Sequence, residues 1–184
     1  MISSLKILYT REQIAAQVRR LGSEIERDFS DREILLVCVL KGSFLFFADL
    51  VREISCPVVV DFVRMASYGC ETISSGVVEM RKDLEFSVTD RDVIIVEDIV
   101  DTGYTLQALY HRLQDRGPRS LRVCTLLDKR FDRRVPIEAD YVGITLDEGF
   151  VVGYGLDYQE QYRHLPDLYV LSEDAPIVKD GGLL

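Results

Sequence analysis

The sequence is poor in the side chains that usually hold zinc. It contains two histidines, His111 and His164, and its four cysteines form no Cys-x-x-Cys pair. Structural zinc sites take four Cys or His ligands, often in such close pairs, so the pattern argues against a zinc site. Cys38 and Cys124 lie inside apolar runs instead, and we expect both to be buried and reduced.

Long apolar runs are also missing. The longest are too short to cross a bilayer, and the first residues, M-I-S-S-L-K-I-L-Y-T-R, lack the extended apolar core and the cleavage site of a signal peptide. These absences predict a protein of the cytoplasm that does not bind membranes.

Basic residues are fewer than acidic ones. The chain has 22 Lys and Arg against 31 Asp and Glu, a net charge of −9, which repels a nucleic-acid backbone overall. We therefore expect no nucleic-acid partner, because binding would need a concentrated basic patch. No G-x-x-x-x-G-K-[ST] motif occurs either, which excludes a P-loop nucleotide site.

What the chain does contain is the composition of an ordinary globular domain. Hydrophobic residues make up 47% and charged residues 29% of its 184 positions. A chain of this length buries roughly two-thirds of its unfolded surface in one core. We expect a single domain over 1–184, without an internal repeat or an interdomain linker.

The most informative stretch runs over 92–106, D-V-I-I-V-E-D-I-V-D-T-G-Y-T-L. Its β-branched run Val93–Val96 is typical of a strand buried on both faces of a parallel sheet. The run ends in an acidic pair, Glu97 and Asp98, and a loop of Gly and hydroxyl residues follows. The apolar stripe of a helix comes next, with steps of three and four residues: Leu106, Leu109, Tyr110 and Leu113.

This strand, loop and helix suit a sugar phosphate. A helix start offers free backbone N–H groups and a positive dipole end to a phosphate, and Thr102 and Thr105 add O–H donors. The carboxylates Glu97, Asp98 and Asp101 would repel a phosphate, so they need other partners. Sugar hydroxyls and a hard cation such as Mg²⁺ both meet that need.

Two other interpretations of this stretch remain open from the residues alone. D-T-G at 101–103 is also the catalytic tripeptide of aspartic proteases, and the whole stretch could be a capped strand-to-helix junction. The protease interpretation requires an all-β chain, whereas a helical stripe follows here.

The other segments predict alternating strands and helices. Thr10 and Gln13 form a capping-box pattern at the start of a helix over 11–28. Ile34–Leu40 predicts a second doubly buried strand, which runs into the polar K-G-S at 41–43 and then a helical stretch. Further strands are predicted at Pro57–Met65, Val77–Arg81, Leu121–Leu127, Tyr141–Leu146 and Tyr169–Leu171.

Some segments have weaker signals. The Gly/Ser-rich connection at 67–76 is either a floppy hairpin tip or a mobile lid. R-F-D-R-R at 130–134 predicts a solvated basic turn without a role, and 174–184 predicts a loosely held tail. Lys129 would be level with the acidic loop if the sheet is parallel. Composition alone favours Phe150 as a core residue over a plate for a flat ligand.

Three motifs together carry a family resemblance. V-E-D-I-V-D-T-G-Y-T-L at 96–106 resembles the ribose-phosphate-binding motif of the type I phosphoribosyltransferases. With L-K-G-S at 40–43 and F-V-V-G-Y-G-L-D-Y at 150–158, the chain resembles the hypoxanthine-guanine phosphoribosyltransferases over nearly its whole length, and most of all the bacterial hypoxanthine enzymes. The family fold is α/β, with a mainly parallel central sheet flanked by helices and a small hood over the carboxyl edge of the strands. The hood would come from about 1–10 and 146–184, and a lid from about 66–76.

The resemblance also implies a reaction. A 6-oxopurine, hypoxanthine or guanine, would displace pyrophosphate from C1′ of 5-phosphoribosyl 1-pyrophosphate (PRPP), with Mg²⁺ as cofactor, giving the nucleoside 5′-monophosphate IMP or GMP for purine salvage. We expect a homodimer or homotetramer. The rival from another class is a PRPP-sensing RNA-binding regulator on the same fold, which would need a basic face and a weak base pocket.

Site residues follow from the resemblance position by position. Asp101 would be the general base for the purine. PRPP and its ribose phosphate would contact Glu97, Asp98, Ile99, Val100, Thr102, Gly103, Tyr104 and Thr105. Pyrophosphate would contact Lys41, Gly42 and Arg163, with a cis peptide between Leu40 and Lys41. The purine would contact Lys129, Phe150, Val151 and Asp157; Mg²⁺ would contact Glu97, Asp98 and Asp157; Ser67 and Tyr68 would close the lid.

Overall fold

The computed structural model describes residues 5–67, 78–147 and 149–171. In these ranges the chain forms three helices and nine strands. They are β1 (Leu5–Tyr9), α1 (Arg11–Phe29), β2 (Ile34–Leu40), α2 (Phe44–Arg52), β3 (Val58–Ser67), β4 (Val78–Lys82), β5 (Asp92–Val100), α3 (Tyr104–Gln114), β6 (Ser120–Lys129), β7 (Tyr141–Leu146), β8 (Phe150–Val152) and β9 (Leu168–Leu171).

The larger sheet has six strands in the order β4-β3-β2-β5-β6-β7. Its neighbours from β3 to β7 pair in parallel, and β4 alone in this sheet runs antiparallel, against β3. In β2, the six residues from Ile34 to Val39 are all buried, as expected of a strand covered on both faces. This is the α/β fold with a mainly parallel sheet that the sequence predicted.

Helices cover both faces of the six-stranded sheet and create two hydrophobic clusters. Under α1 and α2, the cluster includes Leu21 and Phe46, and both are fully buried. On the other face, the stripe of α3 buries Leu106, Leu109 and Leu113, as its spacing predicts. Each such side chain contributes about 1.5–3 kcal/mol when fully buried, so these two clusters hold the strand ends in place.

A second, three-stranded sheet forms the hood. Its order is β1-β9-β8, and both pairs are antiparallel. The sequence predicted a strand at Tyr169–Leu171 but neither β1 nor β8. Both are short, and β1 finds its partner more than 150 residues away, with Leu5 opposite Leu171. Pairing across such a distance leaves no local periodicity to detect.

The predicted thiols and the first helix are confirmed. Cys38 and Cys124 are fully buried and free, and burial raises the pKa of the Cys38 thiol to about 11, which disfavours its thiolate form. The capping box is present, because Thr10 Oγ1 accepts from the Gln13 N–H and the Gln13 side chain accepts from the Thr10 N–H. None of the helices in the described residues is long and apolar enough to cross a membrane.

Candidate active site

The carboxyl ends of β2, β5 and β6 lie side by side at one edge of the sheet. Cys38 of β2 is opposite Val96 of β5, and Val100 of β5 is opposite Asp128 of β6. Two residues after Cys38, β2 ends, and the Lys41 loop begins beside the acidic pair. Three of the predicted functional segments therefore meet at the edge where open α/β sheets bind ligands.

The loop after β5 encloses a cleft of about 130 Å³. Gly103 occupies the N-cap position of α3 with φ +88°, a conformation that side chains other than glycine rarely adopt. Because this N-cap has no side chain, it cannot cap the helix, and the first N–H groups of α3 face the loop. The cleft is lined by Glu97, Ile99, Val100, Asp101, Thr102, Gly103, Thr105 and Leu106. Its size, hydroxyls and helix dipole suit a phosphate group, and the phosphate site itself stays a prediction.

Glu97 and Asp98 form a partly buried acidic pair, and Glu97 lines this cleft. Burial, and secondarily the charge of Asp98, raise the pKa of Glu97 well above its usual range. Burial also raises the pKa of Asp98, although its Oδ1 accepts from the Ile99 N–H at 2.9 Å. Burial thus makes the charged form of each carboxyl costly, and the Arg163 charge only partly offsets this cost for Asp98. A cation or hydroxyl donors from a ligand would relieve it.

Asp101 and Lys129 face each other across the ends of β5 and β6. Lys129 Nζ lies 4.0 Å from Asp101 Oδ2 and 3.9 Å from Asp132 Oδ2, with 8% of the Lys129 residue exposed. Burial raises the pKa of Asp101, against the lowering effect of the Lys129 charge. β6 extends through Lys129, two residues beyond the predicted end, so the parallel alignment with the acidic loop holds.

The Lys41–Gly42 loop packs tightly between the acidic pair and the hood. The peptide bond between Leu40 and Lys41 is cis, as the resemblance implies. A Cβ at Gly42 would overlap the carboxylate of Asp98. From the other side, Gly155 (φ +99°) lies against the Gly42 carbonyl so closely that no side chain fits between them. Only glycine at 42 allows Asp98 to keep its present position.

Gly42→Ala is accordingly expected to displace the Asp98 carboxylate and to lower kcat/KM by about 10²-fold, the effect of a misplacement on the order of 1 Å. Gly117→Ala is the control for an added Cβ that meets nothing within 4 Å; because the φ of +71° strains alanine there, thermal unfolding of both variants is compared as well. Steady-state kinetics of both variants with the substrates that the family resemblance implies, PRPP and hypoxanthine, measure the difference. Near-normal kcat/KM in Gly42→Ala would show that this contact does not position Asp98.

Charged side chains join the hood to this loop. Lys41 Nζ lies 2.9 Å from Glu160 Oε2, and Arg163 Nη2 lies 2.8 Å from Asp157 Oδ1. Arg163 also donates to the Gly155 carbonyl at 2.8 Å. The buried Arg163 Nε–H finds no acceptor within the described residues. A buried donor is costly when unpaired, so it is free for an anionic ligand.

Asp157 does not form a ready metal cage with the acidic pair. Its carboxylate is engaged by Arg163 and by the Glu160 N–H at 2.8 Å. Across residues 5–67, 78–147 and 149–171, no group of three or more His, Cys, Asp or Glu side chains is arranged to hold a metal ion. The metal role of Glu97, Asp98 and Asp157 stays a prediction.

Phe150 and Val151 open the short hood strand β8. Phe150 is 49% exposed, so the composition-based interpretation as a core residue is wrong. Its ring meets the Tyr158 ring edge-on, with centroids 5.5 Å apart, while Val151 is buried. β8 begins four residues after Leu146, which pairs with Lys129 in the larger sheet. An exposed aromatic face four residues beyond the partner of Lys129 suits a flat ligand.

The basic turn at 130–134 differs from its prediction. It was expected to be solvated and without a role, yet the Arg133 side chain is 16% exposed and donates to the Asp101 and Val100 carbonyls. No sequence pattern distinguishes Arg133 from Arg130 and Arg134 beside it, because its contacts depend on the fold of a distant loop. Glu160 was missed for the same reason.

Of the predicted lid, Ser67 ends β3, and Tyr68 with the rest of the segment to residue 76 lies outside the described residues.

Comparisons with known proteins agree with this geometry. Residues 4–159 match the family model of the phosphoribosyl transferase domain. The chain is 45% identical to the hypoxanthine-guanine phosphoribosyltransferase of Bacillus subtilis, over 91% of this chain and 93% of that protein. It is 48% identical to the Mycobacterium tuberculosis protein of the same name, over 86% and 82% of the two chains.

A solved structure gives the same result in three dimensions. The hypoxanthine phosphoribosyltransferase of Staphylococcus aureus superposes with a TM-score of 0.89 at 42% identity, covering 92% of this chain and 93% of that one. The sequence relatives and the structural neighbour point to the same family. The chain therefore belongs to the phosphoribosyltransferase family, in its hypoxanthine-guanine branch.

Proposed function

We propose that the protein transfers the 5-phosphoribosyl group of PRPP to hypoxanthine or guanine, releasing pyrophosphate and IMP or GMP. The observation that carries this proposal is the placement of Asp101 and Lys129, 4.0 Å apart, beside the phosphate-sized cleft. The Asp101 carboxylate can take a proton, and the Lys129 ammonium can donate a hydrogen bond. Both groups thus lie next to the cleft that we assign to the 5′-phosphate of the sugar. The names of the relatives support the same substrates.

Ribose phosphate is held by the loop after β5. The N–H groups at the start of α3 and the hydroxyls of Thr102 and Thr105 bind the 5′-phosphate. Glu97 and Asp98 accept hydrogen bonds from the ribose hydroxyls, which offsets the cost of burial that raises their pKa values. The sugar is thereby fixed with C1′ exposed to the purine, and orientation of this kind lowers the barrier.

Pyrophosphate is held from the opposite side by Lys41, Gly42 and Arg163. Departure of pyrophosphate leaves an oxocarbenium-like carbon, and the cationic side chains stabilise the negative charge that leaves. In the present structure the Glu160 carboxylate pairs with both cations: its Oε2 lies 2.9 Å from Lys41 Nζ and 3.4 Å from Arg163 Nη2. PRPP must displace this exposed carboxylate, which is feasible because such ion pairs are weak in water.

The donor set around the acidic pair fits Mg²⁺. This ion takes one or two protein carboxylates and fills its other positions with water and substrate phosphates. We assign it to Glu97 and Asp98, whose pKa values are raised by burial, and to Asp157 beside Arg163. When bound, Mg²⁺ neutralises charge on the pyrophosphate.

Chelation is expected to abolish turnover. Glu97, Asp98 and Asp157 would otherwise face pyrophosphate with repulsive charge, so EDTA should stop nucleotide formation and added Mg²⁺ should restore it. Nucleotide formation from PRPP and hypoxanthine is followed before and after each addition. Full activity without any divalent ion would show that these three carboxylates do not need a cation to face pyrophosphate.

The purine lies between Phe150 and Lys129. Stacking on Phe150 gives affinity, the Val151 backbone meets the base edge, and Lys129 donates to the oxygen at position 6. Asp101 takes or shares the N7 proton as general base. The raised pKa of Asp101 brings it nearer the range in which a carboxylate is an effective base.

Other expectations remain predictions. They are a single domain over 1–184 with a hood from 1–10 and 146–184, a lid over 66–76, a homodimer or homotetramer, and a cytoplasmic location. Nothing found favours the RNA-binding regulator, and the net charge of −9 argues against it.

A substrate screen tests the proposed function. The protein is incubated with PRPP, Mg²⁺ and each purine base in turn, and the nucleotides formed are separated and quantified. Hypoxanthine or guanine should be converted to its 5′-monophosphate, and adenine should remain. Absence of any nucleotide with all bases, while PRPP binds, would favour a PRPP sensor instead.

A further inference from the structure

Arg133 makes an unusual set of contacts for a residue on a surface turn. Its Nε donates to the Asp101 carbonyl at 3.0 Å and its Nη2 to the Val100 carbonyl at 3.4 Å. The same guanidinium pairs with the Asp128 carboxylate and donates to the Ile137 carbonyl. One side chain thus connects the backbone at the end of β5, the end of β6 and its own loop.

These contacts act on the backbone of Asp101 rather than on its carboxylate. A planar guanidinium with five N–H donors in a rigid fork restricts the peptide groups that it binds. Val100 and Asp101 leave β5 at this point, so their carbonyl directions determine where the Asp101 side chain lies. Asp128, the other partner, directly precedes Lys129. Arg133 therefore fixes the position of the Asp101 side chain relative to Lys129.

The turn that carries Arg133 is packed onto the phosphate loop at further points. The Arg134 N–H donates to the Thr102 carbonyl at 2.9 Å. A Cβ on Gly103 would lie 2.7 Å from Ile137 and 2.9 Å from the Arg133 Cδ. Arg133 itself borders a separate cleft of about 250 Å³ with Pro136 and Ile137, and it does not line the cleft assigned to ribose phosphate. Its effect on the reaction must pass through the loop.

We propose that Arg133 is a positioning residue for Asp101, acting through the Val100 and Asp101 carbonyls. This proposal rests on the proposed function, because it needs Asp101 to act on the purine. Loss of the fork should affect kcat, which depends on Asp101, much more than the KM for PRPP, because the N–H groups of α3 remain in place.

The test is a double-mutant cycle with Arg133→Lys and Asp101→Asn. Lysine keeps the charge and a partner for Asp128 but loses the planar fork. In the wild-type background Arg133→Lys should lower kcat by about 10- to 100-fold, the range expected when a reacting group is slightly misplaced. In the Asp101→Asn background the same change should lower kcat by less than about threefold, because residues that act as a unit are not additive.

Arg130→Ala is the matched control. Arg130 pairs with the same Asp128 at 3.0 Å from the same turn, but its side chain is 69% exposed. It should leave kcat unchanged, and thermal unfolding of each variant shows that the fold is retained. Normal kcat in Arg133→Lys, or an equal loss in both backgrounds, would overturn the positioning role. If wild type forms no nucleotide, the proposed function fails first, and the inference fails with it.

Discussion

Hypoxanthine is expected to be used about 10⁴- to 10⁵-fold better than adenine, measured as kcat/KM, because Lys129 reads the group at position 6 of the purine. Lys129 can donate hydrogen bonds and accept none. Hypoxanthine and guanine present an oxygen there, whereas adenine presents an amino group that is itself a donor. Lys129 is 8% exposed, so water cannot readily replace the missing acceptor.

Lys129→Ala should shrink this gap by lowering kcat/KM for hypoxanthine much more than for adenine. Stacking on Phe150 cannot restore the preference for hypoxanthine over adenine, because an aromatic face attracts every purine alike. Lys6→Ala, an exposed lysine in β1, is the control for loss of one positive charge. If wild type uses adenine within about tenfold of hypoxanthine, or if Lys129→Ala leaves the ratio unchanged, Lys129 does not read position 6.

Asp101→Asn is expected to lower kcat by about 10²- to 10⁴-fold with little change in PRPP affinity. Asparagine keeps the shape of the side chain but cannot take a proton. Asp101 stands three residues beyond the acidic pair, and its carboxylate lies near Lys129, where we place the purine. Its loss should therefore affect chemistry more than binding.

Asp132→Asn is the control for this variant. The Asp132 carboxylate lies 3.9 Å from the same Lys129, so its neutralisation changes the local charge equally. Rapid-mixing kinetics give kcat, and calorimetry gives the affinity for PRPP. A normal kcat in Asp101→Asn, or an equal loss in Asp132→Asn, would mean that local charge rather than a base at 101 matters.

Much of the larger sheet follows from local sequence patterns. Ile34–Leu40 and Tyr141–Leu146 match their predicted bounds, because continuous apolar runs and breaking residues on either side leave little choice. β5 was predicted to end at Glu97 and Asp98, but it continues to Val100, since these residues stay hydrogen-bonded to β6. Polar composition alone does not end a strand when a neighbour supplies its partners.

The site was predictable where it depends on the sheet and not where it depends on side-chain contacts. Parallel strands bring their carboxyl ends to one edge, which places the Lys41 loop, Asp101 and Lys129 together. Arg133 and Glu160 acquire their partners only after distant loops fold against each other. Nor did composition predict the exposure of Phe150, since an apolar residue in a short strand can face either side.

The most direct test of the central claim is the stoichiometry of products. With PRPP, Mg²⁺ and hypoxanthine, pyrophosphate and IMP should form in equal amounts, and no pyrophosphate should appear when the base is omitted. The two products are quantified in the same reaction by chromatography and a coupled phosphate assay. Pyrophosphate released without a base, or hypoxanthine left unchanged while PRPP is consumed, would contradict transfer to a purine at this site.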